Sequence, residues 1–284
     1  MATRYAEAMQ DHSYGYGLYT PEPMEILKPG SCGYLDDRGR WQPVVYDITD
    51  QASLKAEGFK APSGLARMPS QTHTWGPKKS TSVSCTKPAI TAGVSAFPTG
   101  IPVGASIVLD FQTSSNFGAV LHCPQTVVEE GYFHRNPFLS WAKSNAGAIL
   151  SSQPEVKDHP LWVVTGVHAS HDVWLNTWTE REKHVTMGFS VTQPVGEIGP
   201  SGEFLRGSSA DGWTRSTAEK KDGKLVVFFS GVRMKYRWMP FGKTSLYEMR
   251  GAELIMVIDP SNEEDLYEVD CHYVGPDHNI IGSE

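Results

Sequence analysis

The chain contains the stretch Val163-Val-Thr-Gly-Val-His-Ala-Ser-His-Asp-Val-Trp-Leu-Asn-Thr-Trp178, followed after a short gap by Val185-Thr-Met-Gly-Phe-Ser-Val-Thr192. In both runs apolar residues alternate mostly with Ser, Thr, Gly and Asn, and a period of two gives a β-strand one apolar and one polar face. The segment that joins the runs, Glu180-Arg-Glu-Lys-His184, is wholly polar or charged. The pattern predicts two amphipathic strands with an exposed connection.

A second region of the same character covers residues 82–121 and again contains two strand-like runs. A transmembrane β-strand needs ~9–11 residues with one apolar and one polar face, and both regions approximately meet this requirement. A half-exposed antiparallel sheet in an ordinary globular protein produces nearly the same pattern. Periodicity alone therefore leaves both interpretations open.

The remaining sequence predicts an α+β protein, in which a twisted antiparallel β-sheet has flanking helices. A hairpin is indicated by Cys32-Gly-Tyr-Leu, the turn Asp36-Asp-Arg-Gly39 and Trp41-Gln-Pro-Val-Val-Tyr. Helices are predicted over residues 50–58, where Asp50 can cap the first turn, and over residues 137–150. Residues 1–30 are predicted to be irregular and residues 199–224 a long loop. Strands are predicted at 80–86, 107–113, 119–123, 162–168, 171–177, 185–192, 225–229, 232–238 and 252–258.

Charge is distributed unevenly along the 284 residues, whose net charge is −7. Residues 251–284 contain nine acidic and no basic residues, which leaves residues 1–250 with 25 basic and 23 acidic groups, a net charge of +2. We therefore divide the chain into a domain over residues 1–245 and an acidic C-terminal tail over residues 246–284. Such a tail either keeps the protein soluble or lies against a basic surface and masks it.

A basic stripe occurs near the end of the first domain. With a strand period of two, Arg233, Lys235 and Arg237 share one face, and Met234, Tyr236 and Trp238 share the other. This arrangement suits anionic head groups over hydrocarbon, where each basic residue contributes ~1 kcal/mol. A half-buried strand with a hydrated basic face is the alternative. Three further lysines extend the candidate lipid-binding set: Lys78, Lys79 and Lys243.

No motif indicates catalysis, a metal or a cofactor, so an enzyme is not expected. On a strand His168 and His171 point to opposite faces and cannot bind one metal ion without a bulge. The segment Tyr14-Gly-Tyr-Gly-Leu18 lacks the strand and helix that flank a phosphate loop. The four cysteines are widely spaced, as expected for small buried side chains in a cytosolic protein. Neither an apolar run of 18 residues nor a signal segment is evident, which also favours the cytosol.

Four stretches have a familiar order: Pro29-Gly-Ser-Cys-Gly-Tyr-Leu-Asp-Asp-Arg-Gly-Arg-Trp-Gln-Pro-Val44, Asp47-Ile-Thr-Asp50, Thr74-Trp-Gly-Pro-Lys-Lys-Ser80 and Asn116-Phe-Gly-Ala-Val-Leu121. In this order and spacing they resemble the amino-terminal domain of the gasdermin pore-forming family. The fungal gasdermin-like proteins of regulated cell death and allorecognition are the most similar group. Leu161-Trp-Val-Val-Thr165 resembles the second membrane hairpin of that family, which extends the resemblance to about residue 245.

The resemblance implies a pore-forming protein that is cytoplasmic when inactive and acts at the plasma membrane. It would bind acidic phospholipids through basic residues, refold two regions into membrane hairpins and oligomerise into a ring. Family members are triggered by a variant partner or by proteolysis, so an allelic partner and an activating protease are both candidate partners. The apolar positions implied in the hairpins are Val83, Ile107, Leu109, Val120, Val163, Val173, Leu175, Val185 and Phe189.

Two other classes of function compete with a pore. One is a soluble allorecognition or interaction protein without pore activity. The other is a nucleic-acid-binding β-domain that uses the basic stripe together with Trp238, Tyr236 or Trp75 as stacking platforms. A sequence pI of about 5.8 argues against nucleic acid, and we expect no nucleic-acid partner.

Overall fold

The computed structural model describes residues 1–91, 106–180, 184–190, 203–205, 212–239, 255–259 and 262–276. Its elements are mostly antiparallel strands with few helices, which confirms the predicted α+β class. The chain divides into two compact units. Unit 1 contains residues 1–24, 71–129 and 168–228, and unit 2 contains residues 25–70, 130–167 and 229–284.

The elements are numbered in chain order. Those of unit 1 are helix α1 (Ala2–Met9), a 3-10 turn (Gln10–His12), β1 (Tyr16–Pro23), β4 (Gln71–His73), β5 (Lys78–Lys79), β6 (Val83–Thr91), β7 (Ser106–Thr113), β8 (Gly118–His122), β11 (Asp172–Trp178), β12 (His184–Ser190), β13 (Glu203–Leu205) and β14 (Thr214–Thr217). Those of unit 2 are β2 (Cys32–Leu35), β3 (Trp41–Val45), α2 (Gln51–Ala56), α3 (Asn136–Ser152), a 3-10 turn (Pro154–Lys157), β16 (Ile255–Asp259) and β17 (Asn262–Val274). Strands β9 (Val127–Gly131), β10 (Leu161–Ser170) and β15 (Leu225–Met239) have residues in both units.

Unit 1 contains two four-stranded sheets. The first has the order β14-β11-β8-β5 and the second the order β13-β12-β7-β6, and the registers of all their pairs are antiparallel. The two regions predicted from alternation are therefore paired with each other. Strand β11 pairs with β8, and β12 pairs with β7. The expected direct return of residues 163–178 through residues 185–192 is not observed, because β11 and β12 lie in different sheets.

In unit 2 the strands follow the order β16-β17-β15-β10-β2-β3 in one sheet. Helix α3 has apolar residues three and four positions apart, and it buries this stripe in the same core as β15 and β17. The predicted hairpin of β2 and β3 and the predicted helix α2 are both confirmed. The Asp50 carboxylate accepts hydrogen bonds from the amides of Ala52 and Ser53, and Gly58 has the left-handed φ of +80° expected after a helix.

Two segments predicted to lack regular structure contain some. Residues 1–30 include α1 and β1, and α1 escapes detection because only Tyr5, Ala6 and Met9 of its eight residues are buried. The predicted loop over residues 199–224 includes β13 and β14. Strand β14 has the sequence Thr-Arg-Ser-Thr and is mostly exposed, so it has no apolar alternation to reveal it.

Two predicted strands, over residues 225–229 and 232–238, are one continuous strand, β15. Gly231 lies between them without breaking the strand. A Cβ atom at this position would lie 2.4 Å from the carbonyl oxygen of Val163. Only glycine therefore allows the backbones at residues 231 and 163 to approach this closely. Residues 262–274, expected in the acidic tail, form β17, the longest strand after β15.

Candidate membrane-binding and membrane-inserting strands

The two faces of the first sheet of unit 1 carry different side chains. On β8 and β11 the apolar face consists of Ala119, Leu121, Val173 and Leu175, which are between 0% and 5% exposed and share a core with Tyr5 and Met9 of α1. The opposite face of the same two strands includes His122, Asp172, Trp174 and Asn176. On β8 and β11 the ionisable and amide side chains therefore all lie on one side, where Val120 and Trp178 are buried as well. The other side of the sheet is aliphatic on these two strands and has Lys78 of β5 beside Leu121.

The polar face is organised around the buried carboxylate of Asp172. It accepts hydrogen bonds from Nε of Arg215 at 2.9 Å, from Nη2 of Arg215 at 2.7 Å and from the Thr217 hydroxyl at 3.3 Å. This pairing raises the pKa of Arg215, whose guanidinium also lies 5.1 Å from the ring centroid of Trp174. The charge of the buried carboxylate is thus compensated by a bidentate arginine.

His122 lies on the same polar face and is 3% exposed. Burial, opposed in part by the nearby Asp172 carboxylate, lowers the pKa of His122 from 6.5 to about 4. The imidazole is consequently neutral near pH 7, and acidification charges it in a buried position.

The second sheet of unit 1 is amphipathic in the same way. Phe111 pairs with Val185 and Leu109 with Met187, and these apolar side chains form a core with Val120 and Trp178 of the first sheet. Four of the alternate positions are polar: Asp110, Gln112, His184 and Thr186. There the Asp110 carboxylate lies 3.0 Å from Nδ1 of His184, and both side chains are accessible to water.

The apolar positions predicted for membrane hairpins occupy strands. Ile107 and Phe189 pair directly with each other across β7 and β12, and their side chains lie outside the described part of the structure. Val163 belongs to unit 2, in β10, and the other eight positions belong to unit 1. Six of the nine are buried: Val83, Val120, Val163, Val173, Leu175 and Val185. Leu109 is partly buried.

The basic stripe lies on β15 with the predicted alternation. Met234 and Tyr236 are buried, and the Tyr236 hydroxyl donates a hydrogen bond of 2.8 Å to the carbonyl oxygen of Ala146 in α3. Trp238, on the same face, is 57% exposed, and its Nε1 donates to Asp265 at 2.9 Å. The strand is therefore half-buried at residues 233–236 and emerges into solvent at Trp238.

Strand β17 lies beside β15 and places carboxylates opposite the cations. Lys235 pairs with Asp270 and Arg237 with Glu268, and Nη2 of Arg237 donates a 3.0 Å hydrogen bond to Asp270. The whole register extends over nine residue pairs, from Gly231 with Val274 to Met239 with Leu266. The acidic segment is thus in direct contact with the basic stripe through a β-ladder. Its two carboxylates offset most of the positive charge on that face.

Arg233 occupies a different environment from the other two cations of the stripe. Its guanidinium lies 5.6 Å from the ring centroid of Trp162, a cation–π distance. Its cross-strand neighbour is His272, whose pKa is lowered by burial and by Arg233, Lys235 and Arg237, although Asp270 opposes the shift.

The remaining predicted lipid-binding lysines are separate from the stripe. Lys78 and Lys79 form β5 in unit 1. Nζ of Lys78 donates to the Tyr14 hydroxyl at 3.1 Å and lies 5.0 Å from the ring centroid of Trp75, while Nζ of Lys79 donates to the carbonyl of Val83 at 2.6 Å. Both ammonium groups are therefore engaged within unit 1. Lys243 lies outside the described residues.

Two contributors to these sites were missed from the sequence. One is β17, although Tyr267, Val269, Cys271 and Tyr273 alternate with charged or polar residues and give a period of two. The nine acidic residues at positions 251–284 favour a solvated tail, and this composition obscures the period of a strand. The other is α1, for which no clear sequence signal exists.

Among the described residues, no helix is both long and apolar enough to cross a membrane. Within the same residues no group of three or more His, Cys, Asp or Glu side chains could hold a metal ion. No known protein-family model matches the chain. No curated protein matches it either.

Proposed function

We propose that this chain is a gasdermin-like membrane pore-forming protein that binds acidic phospholipids, oligomerises and inserts amphipathic strands into the bilayer. The resulting permeabilisation would cause regulated cell death of the allorecognition type. The observation that carries the proposal is the separation of side chains on β8 and β11. All ionisable groups of these strands lie on the face that includes Asp172 and His122.

This separation matters because the free energy of transfer from water into hydrocarbon differs strongly between the two faces. A basic side chain on the lipid face of a transmembrane strand costs about 2–4 kcal/mol at the bilayer midplane. After insertion, β8 and β11 would present Leu121, Val173 and Leu175 to lipid. Asp172 and His122 would face the hydrated lumen of the pore.

Oligomerisation follows from the hydrogen-bonding demands of the bilayer. Among the described residues, each four-stranded sheet of unit 1 ends in strands paired on one edge only, β14 and β5 in the first sheet and β13 and β6 in the second. In hydrocarbon an unpaired strand edge leaves backbone groups unsatisfied. Closing many copies into a ring removes these edges, so insertion and self-association would occur together.

Lipid binding would begin at the basic stripe, and β17 competes for it. Glu268 and Asp270 lie opposite Arg237 and Lys235, so head-group phosphates must displace carboxylates that are already in place. The cytoplasmic inactive state would owe its low membrane affinity to this competition. An activating protease or an allelic partner would act by weakening it.

The test is dye release from vesicles of acidic phospholipid, compared with vesicles of neutral phospholipid, over a range of salt concentrations. The double variant Glu268→Gln, Asp270→Asn keeps the strand and removes both competing charges, so we expect tighter binding and faster release than with the native chain. If native and double-variant proteins both bind the acidic vesicles no better than neutral ones and leave them intact, the proposal is overturned in favour of a sensor without pore activity.

A matched pair of single variants tests the stripe itself. Arg237 and Arg67 each form one exposed ion pair, with Asp270 at 3.0 Å and Glu130 at 2.7 Å, and their side chains are 58% and 60% exposed. Arg237→Gln should weaken binding to acidic vesicles by about 1 kcal/mol, or about fivefold. Arg67→Gln changes the net charge equally and should leave binding unchanged. Equal weakening by both variants would show that only net charge matters.

A further inference from the structure

Helix α1 covers the apolar face of β8 and β11. Tyr5 and Met9 are 0% exposed and share a core with Leu121, Val173 and Leu175. The same core includes Ala119 and Phe117 at the start of β8. Helix α1 therefore forms part of the cover over these two strands, and Trp75 and the β15 residues Val227 and Phe228 contribute to the same core.

The helix is attached to the sheet by a small number of polar contacts. Nη2 of Arg4 donates to the carbonyl oxygen of Asn116 at 3.1 Å, and its guanidinium lies 4.7 Å from the ring centroid of Phe117. In the 3-10 turn that follows, Asp11 accepts a hydrogen bond of 2.5 Å from the Thr81 hydroxyl. Both hydrogen bonds are exposed to solvent, whereas Nε2 of His12 in the same turn lies 2.9 Å from the carbonyl oxygen of Lys79 in a part-buried contact.

Several features make α1 easy to release. It has eight residues, no side-chain hydrogen bond at its amino-terminal cap and no acidic residue in its first turn. An isolated helix of this length is unstable in water, so its helicity depends on packing. The hydroxyl of Tyr5 is buried and has no hydrogen-bond partner among the described residues, which penalises the docked state.

The two faces of the sheet differ in what they could contact after a rearrangement. The face beneath α1 has no ionisable group on β8 or β11 within the described ranges, whereas the other face includes His122 and Asp172. On β8 and β11 themselves, only the α1-covered face can enter hydrocarbon without burying a charge. Lys78 of the neighbouring strand β5 lies beside Leu121 on that face, so its ammonium group must stay outside the hydrocarbon.

We infer that the α1-covered face of β8 and β11 is a lipid-facing surface, and that α1 is its removable cover. The partner is the hydrocarbon of the bilayer, which replaces Tyr5 and Met9 against Leu121, Val173 and Leu175. This inference rests on the proposed pore function and specifies which face meets lipid. It also places the release of α1 before insertion.

Amide hydrogen exchange in the native soluble protein tests the cover without reference to pores. Amides of α1 should exchange through a local opening, at least tenfold faster than those of β8. Tyr5→Phe removes the unpaired hydroxyl and should slow α1 exchange. Arg4→Gln removes the anchor at Asn116 and should accelerate it, whereas Glu7→Gln serves as a charge-change control on the same helix. If α1 exchanges only together with the whole protein, the cover is not separately releasable and the inference is overturned.

Lipid contact is tested with the native chain on acidic vesicles that contain a photoactivatable phospholipid with the reactive group in its acyl chain. Cross-links mapped by mass spectrometry should fall on residues 119, 121, 173 and 175 and not on residues 120, 122, 174 and 176. In dye release, Tyr5→Phe should lengthen the lag and Arg4→Gln should shorten it. Release accompanied by cross-links on the even-numbered set would overturn the inference while sparing the pore. Absence of release with both the native chain and the Glu268→Gln, Asp270→Asn variant would overturn the proposed function, and with it the assignment to lipid.

Discussion

Removing residues 251–284 should unfold unit 2 and should not simply release an inhibitor. The deletion removes β16 and β17 and thereby three buried side chains of the unit 2 core, Val257, Tyr267 and Val269. Burial of one apolar side chain raises the free energy of unfolding by about 1.5–3 kcal/mol, so the three side chains together contribute on the order of 5–9 kcal/mol to it. The total stability of a domain is typically about 5–15 kcal/mol, and the loss is therefore a large fraction of it.

The deletion has a second cost beyond the lost side chains. It leaves one edge of β15 unpaired over nine positions and uncovers Met234 and Tyr236, which pack beneath β17 and α3. An unprotected strand edge beside newly exposed apolar side chains favours aggregation. The truncated protein should consequently be poorly soluble, quite apart from any membrane activity.

The assay compares the truncated chain and the Glu268→Gln, Asp270→Asn variant with the native chain by thermal melting, near-ultraviolet circular dichroism and limited proteolysis. The charge variant should melt within a few degrees of the native chain, because exposed ion pairs contribute about 0–1 kcal/mol. The truncated chain should lack a cooperative transition. A truncated chain that melts cooperatively near the native temperature would refute the reasoning and restore residues 251–284 as a dispensable tail.

Three further outcomes follow from individual residues. The pKa of His122 is lowered from 6.5 to about 4 in the folded protein, so the unfolded chain binds the proton more tightly. The free energy of unfolding should therefore fall by about 3 kcal/mol as the pH drops from 6.5 towards 4. His122→Gln should abolish that part of the pH dependence of thermal melting. Gly231→Ala would place a Cβ atom 2.4 Å from the Val163 carbonyl oxygen, and it should lower the free energy of unfolding in urea titrations by ~1–3 kcal/mol or more. Gly76→Ala is the control, because no atom lies within 4 Å of the added Cβ, and it should leave the free energy of unfolding nearly unchanged. Trp141→Phe removes a 2.7 Å hydrogen bond to the Lys60 carbonyl and should cost about 1 kcal/mol in the same titrations, and an unchanged midpoint would show that this bond does not contribute.

Local chemistry made parts of the fold predictable. Asp50 and Gly58 mark the two ends of α2, and Asp36 to Gly39 mark the turn between β2 and β3, because capping and turn residues act within a few positions of the chain. The alternation of β15 was predictable for the same reason. It correctly separated the buried side chains of Met234 and Tyr236 from the three basic residues.

Pairing between the two amphipathic regions was not predictable, unlike the β2–β3 hairpin, because it depends on contacts between residues far apart in the sequence. The pairing of Leu175 with Leu121 and of Val185 with Phe111 joins two regions whose periodicities are equally compatible with pairing inside each region. The contact between Arg237 and Asp270 was anticipated only as a general masking of positive charge. The alternation of Tyr267 and Val269 with Glu268 and Asp270 indicates a strand, but the sequence does not show that this strand pairs with β15.

The cross-pairing of the two amphipathic regions has a consequence for kinetics. Strand β7 shares seven residue pairs with β12, and β8 shares five with β11, so each region holds the other in place. Withdrawing one region alone would strip its partner of hydrogen bonds along an entire strand. If the chain inserts these strands as proposed, we expect the two regions to be released together over one barrier, which would keep the protein in its folded state until it is triggered.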